Sequence, residues 1–137
     1  MQSDTLVQPA VRALHVLVAE DAAVNRAFAT ALLRRLGHTC TTAANGLEAY
    51  FLAAQERFDA ILMDCSMPEM DGFEATRKIR LELPAGSATP RDVRIIAVTA
   101  HSLEGDRDEC ILAGMDGYLT KPMNLSRLAT ELSGLGQ

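Results

Sequence analysis

Short apolar runs of about four or five residues, each leading into a stretch with helical spacing, recur along this chain and constrain its fold more than any other feature. The first, His15 to Ala19, stops abruptly at Glu20-Asp21. From Ala22 to Leu36, residues Phe28, Leu32, Leu33 and Leu36 recur at helical spacing, and Gly37 ends the helix. A Thr-rich strand is expected over Cys40 to Ala44. Asn45-Gly46 makes a turn, and Leu47, Tyr50, Phe51 and Ala54 mark a helix to about Glu56. Ala60-Ile61-Leu62-Met63 is the strongest strand signal and runs into Asp64. After a loop with Pro68 and Gly72 comes a helix with Phe73, Thr76 and Ile79 on its inner face. Two prolines and a glycine between Glu82 and Val93 predict a loop. Ile95 to Val98 is a strand ending at Thr99, and a charged helix from Leu103 to Ala113 is closed by Gly114. Gly117 to Thr120 is a short fifth strand, and Leu125, Leu128, Ala129 and Leu132 mark the last helix.

Strands apolar on both faces and separated by helices predict an α/β fold, a five-stranded parallel sheet with helices on both faces in a (βα)5 doubly wound arrangement. Function in such sheets collects at the carboxyl ends of the central strands. Those ends carry Glu20-Asp21, Asp64, Thr99 and Lys121, so four of the five strands bring a polar group to one rim.

Several function classes are disfavoured. The chain has 137 residues, 48% of them hydrophobic, but no apolar run long enough to span a bilayer, so no membrane insertion is expected. Its start lacks the basic and apolar regions of a signal peptide. A net charge of -5, with only Lys78 and Lys121 beside eleven arginines, makes direct nucleic-acid binding a poor reading. Cys40, Cys65 and Cys110 form no Cys-x-x-Cys pair, which speaks against a disulfide scaffold or zinc site and for a reducing compartment. None of the three has a sequence partner suggesting a thiol nucleophile, and His15 and His38 read as structural.

Acids gathered on one rim repel unless a cation neutralises them. An oxygen-only ligand set favours Mg²⁺, or Mn²⁺, over softer ions. With Lys121 and the Thr99 hydroxyl beside a carboxylate at a strand end, the set suits phosphoryl transfer with Asp64 as nucleophile. Taken singly, Asp64 reads more readily as a cap or turn residue and Lys121-Pro122 as a surface turn, and Glu20-Asp21 could be acids capping the following helix. The joint pattern favours the chemical reading.

The segments VLVAED (Val16–Asp21), VNRAFATALLRRLGH (Val24–His38), AANGLEA (Ala43–Ala49), FDAILMDCSMPEMDGFEATRKIR (Phe58–Arg80), IIAVTAH (Ile95–His101) and AGMDGYLTKPMN (Ala113–Asn124) together resemble a two-component response-regulator receiver domain. The wording of MPEMDGFEATRKIR and AGMDGYLTKP is most similar to receivers of hybrid sensor histidine kinases. The resemblance implies a flavodoxin-like receiver fold over 14–134, with tails at 1–13 and 135–137. It implies that Asp64 accepts a phosphoryl group from a phosphohistidine, carried by a kinase dimerisation domain or a histidine-phosphotransfer protein. Glu20, Asp21, Asp64 and the Ser66 backbone carbonyl would hold Mg²⁺. Lys121 and Thr99 would bind phosphoryl oxygens, and Thr99 with Tyr118 would form the switch. The Lys121-Pro122 bond would be cis, and Ser66 and His101 would tune access of water to the phosphoaspartate. Ala22 stands where many hybrid-kinase receivers carry Asn. A kinase helix bundle would dock beside Ala22–Phe28.

The module would then catalyse its own phosphorylation and dephosphorylation, in the cytoplasm or in the cytoplasmic part of a membrane-anchored hybrid kinase. Two other readings compete with it. One is a phosphorylation-independent interaction domain of the same fold. The other is a small aspartate-nucleophile phosphatase, which would need a second carboxylate where the chain has Ser66.

Overall fold

The computed structural model describes residues 12–100 and 104–135, with side chains of 104–106 left aside. The chain alternates β1 (His15–Ala19), α1 (Ala23–Arg35), β2 (Thr39–Ala43), α2 (Gly46–Gln55), β3 (Ala60–Asp64), α3 (Gly72–Glu82), β4 (Arg94–Thr99), α4 (Glu104–Ala113), β5 (Gly117–Thr120) and α5 (Leu125–Leu132). The strands form one parallel sheet in the order β2-β1-β3-β4-β5, with Val16 opposite Ala60 and Ile61 opposite Ile95. This is the five-stranded doubly wound sheet that the strand pattern predicts.

The period-two alternation of the strands divides the core. Val16, Val18, Leu62, Ile96 and Val98 face α1 and α5, where Leu33, Leu128 and Leu132 cover them. Leu17, Ile61, Met63, Ile95 and Ala97 face the other way, against Ala49 and Ala53 of α2, Ala75 and Ile79 of α3 and Cys110 of α4. A strand buried on both faces has no polar side until it ends, so its first polar side chains emerge together at the rim.

The helices start and stop where local chemistry dictates. Asn45, Asp71 and Asn124 accept the N–H groups of Glu48, Glu74 and Arg127 and cap α2, α3 and α5, each contributing about 1 kcal/mol. At the end of α1, Gly37 has φ 89°. Its N–H reaches Arg34 O, and the His38 N–H reaches Leu33 O, the paired bonds of a Schellman turn.

Two helix faces differ from the sequence expectation. Phe28 is 44% exposed, and α1 instead buries Ala29, Leu32 and Leu33, one position round the helix. On α2, Leu47 and Phe51 are exposed while Gly46, Ala49, Tyr50 and Ala53 are buried. The small residues let α2 lie close to the sheet and to α3, a contact that a search for large apolar side chains overlooks. Phe73 is only partly buried, whereas Thr76 and Ile79 are fully so. The expected tails lie largely outside the described residues.

Candidate functional site

In the strand order, successive connections run to one side from β1 and to the other from β3, so a crevice opens between the carboxyl ends of β1 and β3. Glu20 and Asp21 leave β1 at this point, and Asp64 is the last residue of β3. One carboxylate oxygen from each of the three lies within 4.8 Å of the others. Glu20 and Asp64 are buried at 5% and 3% exposure, while Asp21 faces solvent.

Lys121, just past β5, reaches into the cluster. Its Nζ donates to Asp64 Oδ2 at 3.0 Å and lies 3.2 Å from Glu20 Oε1. Burial alone would lower the lysine's pKa, but hydrogen bonds and charge from Asp64 and then Glu20 outweigh it, and the ammonium is held above its usual value. Three carboxylates nevertheless face this one ammonium. The Asp21 carboxylate makes no hydrogen bond or ion pair among the described residues. A hard divalent cation matches this oxygen donor set in charge and chemistry.

Backbone amides complete the frame. The Ser66 N–H donates to Asp64 Oδ1 at 3.2 Å, and the Ala22 N–H donates to Glu20 Oε2 at 2.9 Å. Thr99, the last residue of β4, is buried and shares with Asp64, Ser66, Asp71 and Lys121 an open cleft of about 490 Å³. Its carbonyl accepts the Lys121 N–H at 2.8 Å, tying the loop after β5 to β4. The Lys121-Pro122 peptide is cis.

Tyr118 does not line this cleft. It is half-buried on β5, packs against the core and borders a separate cavity of about 430 Å³ with Arg107, Cys110 and Arg127. Ser66 is exposed at the cleft wall. His101 lies outside the described residues.

Two positioning residues escape the sequence reading. Arg26 on α1 donates at 2.9 Å to the carbonyls of both Glu20 and Asp21, fixing the turn that aims their side chains. Nothing in a helical arginine marks it as bonding five and six residues back. Gly72 opens α3 against the end of β3, where an added Cβ would stand 2.2 Å from the Asp64 carbonyl oxygen. Its signal is the Asp71-Gly72 pair after a proline-bearing loop, which reads only as a turn.

The two described histidines, His15 and His38, make structural contacts. His38 Nδ1 accepts the Leu14 N–H at 3.0 Å, and burial lowers its pKa against an opposing pull from Asp59. His15 stacks on Phe58 and bonds Thr39 and Glu56. Cys65 and Cys110, which sequence spacing leaves apart, touch with their Sγ atoms 3.9 Å from each other.

A family model described as the response regulator receiver domain matches residues 16–133. The chain is 36% identical over 146 aligned residues to the probable histidine kinase 1 of Oryza sativa, covering 88% of this chain and 15% of that protein. It thus spans under one-sixth of that relative's length. Among solved structures, the receiver domain of a Pseudomonas aeruginosa sensor histidine kinase, crystallised with a magnesium ion coordinated in its active-site cleft, is 41% identical with a TM-score of 0.79. That alignment covers 92% of this chain and 100% of the other. The receiver domain of a downstream response regulator of Saccharomyces cerevisiae, crystallised with a histidine phosphotransfer signalling protein, is 32% identical with a TM-score of 0.82, covering 93% and 92%.

Proposed function

The chain belongs to the response-regulator receiver family, and from that membership we propose that Asp64 takes a phosphoryl group from a phosphohistidine in a His-Asp phosphorelay. The observation that carries this reading is the Asp64 carboxylate, held at a strand end between the Lys121 ammonium and the Ser66 N–H within a three-acid cluster.

A carboxylate oxygen of Asp64 attacks phosphorus in line. The P–N bond of the phosphoimidazole breaks as the O–P bond forms, and the imidazole leaves. Lys121, bonded to the carboxylate in the resting site, then balances the charge that has passed to the phosphoryl oxygens. The Thr99 hydroxyl, on the same cleft, supplies a donor to another of them. Glu20, Asp21, Asp64 and the Ser66 carbonyl would hold Mg²⁺. The ion would offset the acids and the phosphoryl charge, as the donor set and the magnesium-bearing Pseudomonas relative support.

The switch would pass from Thr99 to Tyr118 and the surface between α4 and β5, with Ser66 and His101 setting hydrolysis of the phosphoaspartate. The donor would be a histidine kinase or a histidine phosphotransfer protein, docking on α1 beside the site. There Val24 is 79% exposed and Phe28 44%, an apolar surface suited to a partner helix. Among the described residues no helix is long and apolar enough to cross a membrane. The domain would span 14–134 and work in the cytoplasm, as a separate regulator or within a hybrid histidine kinase.

The test is transfer from a phosphorylated histidine-phosphotransfer protein. Label should appear on this chain in a hydroxylamine-sensitive form, as an acyl phosphate requires, and be absent from Asp64→Asn. Label that resists hydroxylamine, or persists in that variant, would refute the assignment.

A further inference from the structure

Cys65 follows Asp64 at the end of β3, and Cys110 lies in the later part of α4, 45 positions on. Their Sγ atoms are 3.9 Å apart in the core, and both side chains are buried. Cavities approach the pair from two sides. Cys65 lines the Asp64 cleft, and Cys110 lines the cavity beside Tyr118. Cys40, the third thiol, belongs to the opposite face of the sheet, where its Sγ lies 3.5 Å from Thr30 Oγ1.

We propose that Cys65 and Cys110 are a disulfide-forming pair, a modification site at which a peroxide pins α4 to the strand that carries Asp64. The Cys65 thiol attacks a peroxide oxygen that reaches it from the cleft its residue lines. The O–O bond breaks, and a sulfenic acid and one water result. The Cys110 thiol attacks the sulfenic sulfur, the S–O bond breaks, the S–S bond forms and a second water leaves. Two thiols have lost two electrons and two protons, and one peroxide has become two waters. The sulfur atoms must close from contact to bonding distance, about 2 Å. Cys65 is the fixed side, because its N–H bonds Val98 O at 3.0 Å and its carbonyl accepts Gly72 N–H at 3.2 Å. The movement therefore falls on α4. Resting on the receiver reading above, the cross-link would hold the α4 surface in one arrangement whether or not Asp64 is phosphorylated.

The test treats the full chain with hydrogen peroxide under native conditions, then denatures and alkylates it. The number of alkylated cysteines should fall from three to one, with Cys40 the one modified. In Cys40→Ser the number should fall to none, and in Cys110→Ala Cys65 should stop at the sulfenic acid, trapped by dimedone with no disulfide formed, while Cys40 still alkylates. In the wild-type chain, three alkylated thiols after oxidation, a disulfide involving Cys40, or addition of oxygen atoms without pairing would overturn the proposal. In the oxidised form, amide exchange over 104–113 should slow at least about tenfold and stop responding to acetyl phosphate. A response equal to that of the reduced form would overturn the pinning. Failure of the reduced form to be phosphorylated would instead count against the phosphoacceptor reading, since the thiol count does not depend on it.

Discussion

Replacing Gly72 with alanine places a methyl group against the backbone that carries the phosphoacceptor. The new Cβ would stand 2.2 Å from the Asp64 carbonyl oxygen, 2.9 Å from its carbonyl carbon and 3.0 Å from the Cys65 Cα. None of these atoms belongs to a side chain that could swing away. Ordinary contact begins at 3.4 Å, so α3 and the end of β3 must part by about 1.2 Å, the difference between 3.4 and 2.2. Overpacking of this kind costs about 1–3 kcal/mol. A misplacement of about 1 Å at a reacting group costs on the order of 10²-fold in rate. The assay is the initial rate of Asp64 labelling by acetyl phosphate, measured beside a thermal melt. Gly37→Ala is the control. That residue has φ 89° with nothing within 4 Å of an added Cβ, so the change strains the backbone by about 1–2 kcal/mol far from the site. The variants should melt at similarly reduced temperatures, yet only Gly72→Ala should label slowly. Labelling of Gly72→Ala at the wild-type rate would refute the argument that this glycine positions Asp64.

Other perturbations have signs fixed by the same geometry. Lys121→Ala leaves the buried carboxylates of Glu20 and Asp64 without their cation, and in metal-free buffer chemical denaturation should show a loss of about 2–4 kcal/mol, partly restored by Mg²⁺. Thr76 is fully buried in α3 and its hydroxyl has no hydrogen-bond partner among the described residues, so Thr76→Val should raise stability by about 1 kcal/mol in the same assay. Burial depresses the His38 pKa below 6.5, so the unfolded chain binds the proton more readily. Stability from this group is complete above pH 6.5 and is lost as pH falls towards the folded value, by at most about 1.4 kcal/mol per pH unit. His38→Asn should flatten that part of the pH–stability curve; an unchanged slope would show that His38 does not carry it.

The strands and the rim were legible because one physical rule governs both. A strand buried on two faces must be apolar until it ends, so Asp64 after Ile61-Leu62-Met63 and Thr99 after Ile96-Ala97-Val98 stand out along the chain. Helix faces were less legible wherever contact depends on small residues. Ala49 and Ala53 bring α2 onto the sheet while the larger Phe51 points outward. Arg26 and Gly72 were not legible as positioning residues. One acts through backbone carbonyls and the other through the lack of a side chain, and neither leaves a periodic trace. The Cys65–Cys110 contact was hidden for a related reason, since it joins a strand end to a helix across 45 positions through tertiary packing alone.

The most direct test of the central claim is the intact mass of the chain after incubation with acetyl phosphate, with and without Mg²⁺, beside Asp64→Asn. The account predicts a gain of one phosphoryl group that requires Mg²⁺ and is absent from the variant. A gain that persists in Asp64→Asn would contradict it. So would no gain at all in the wild-type chain, under rapid sampling that labels a control receiver.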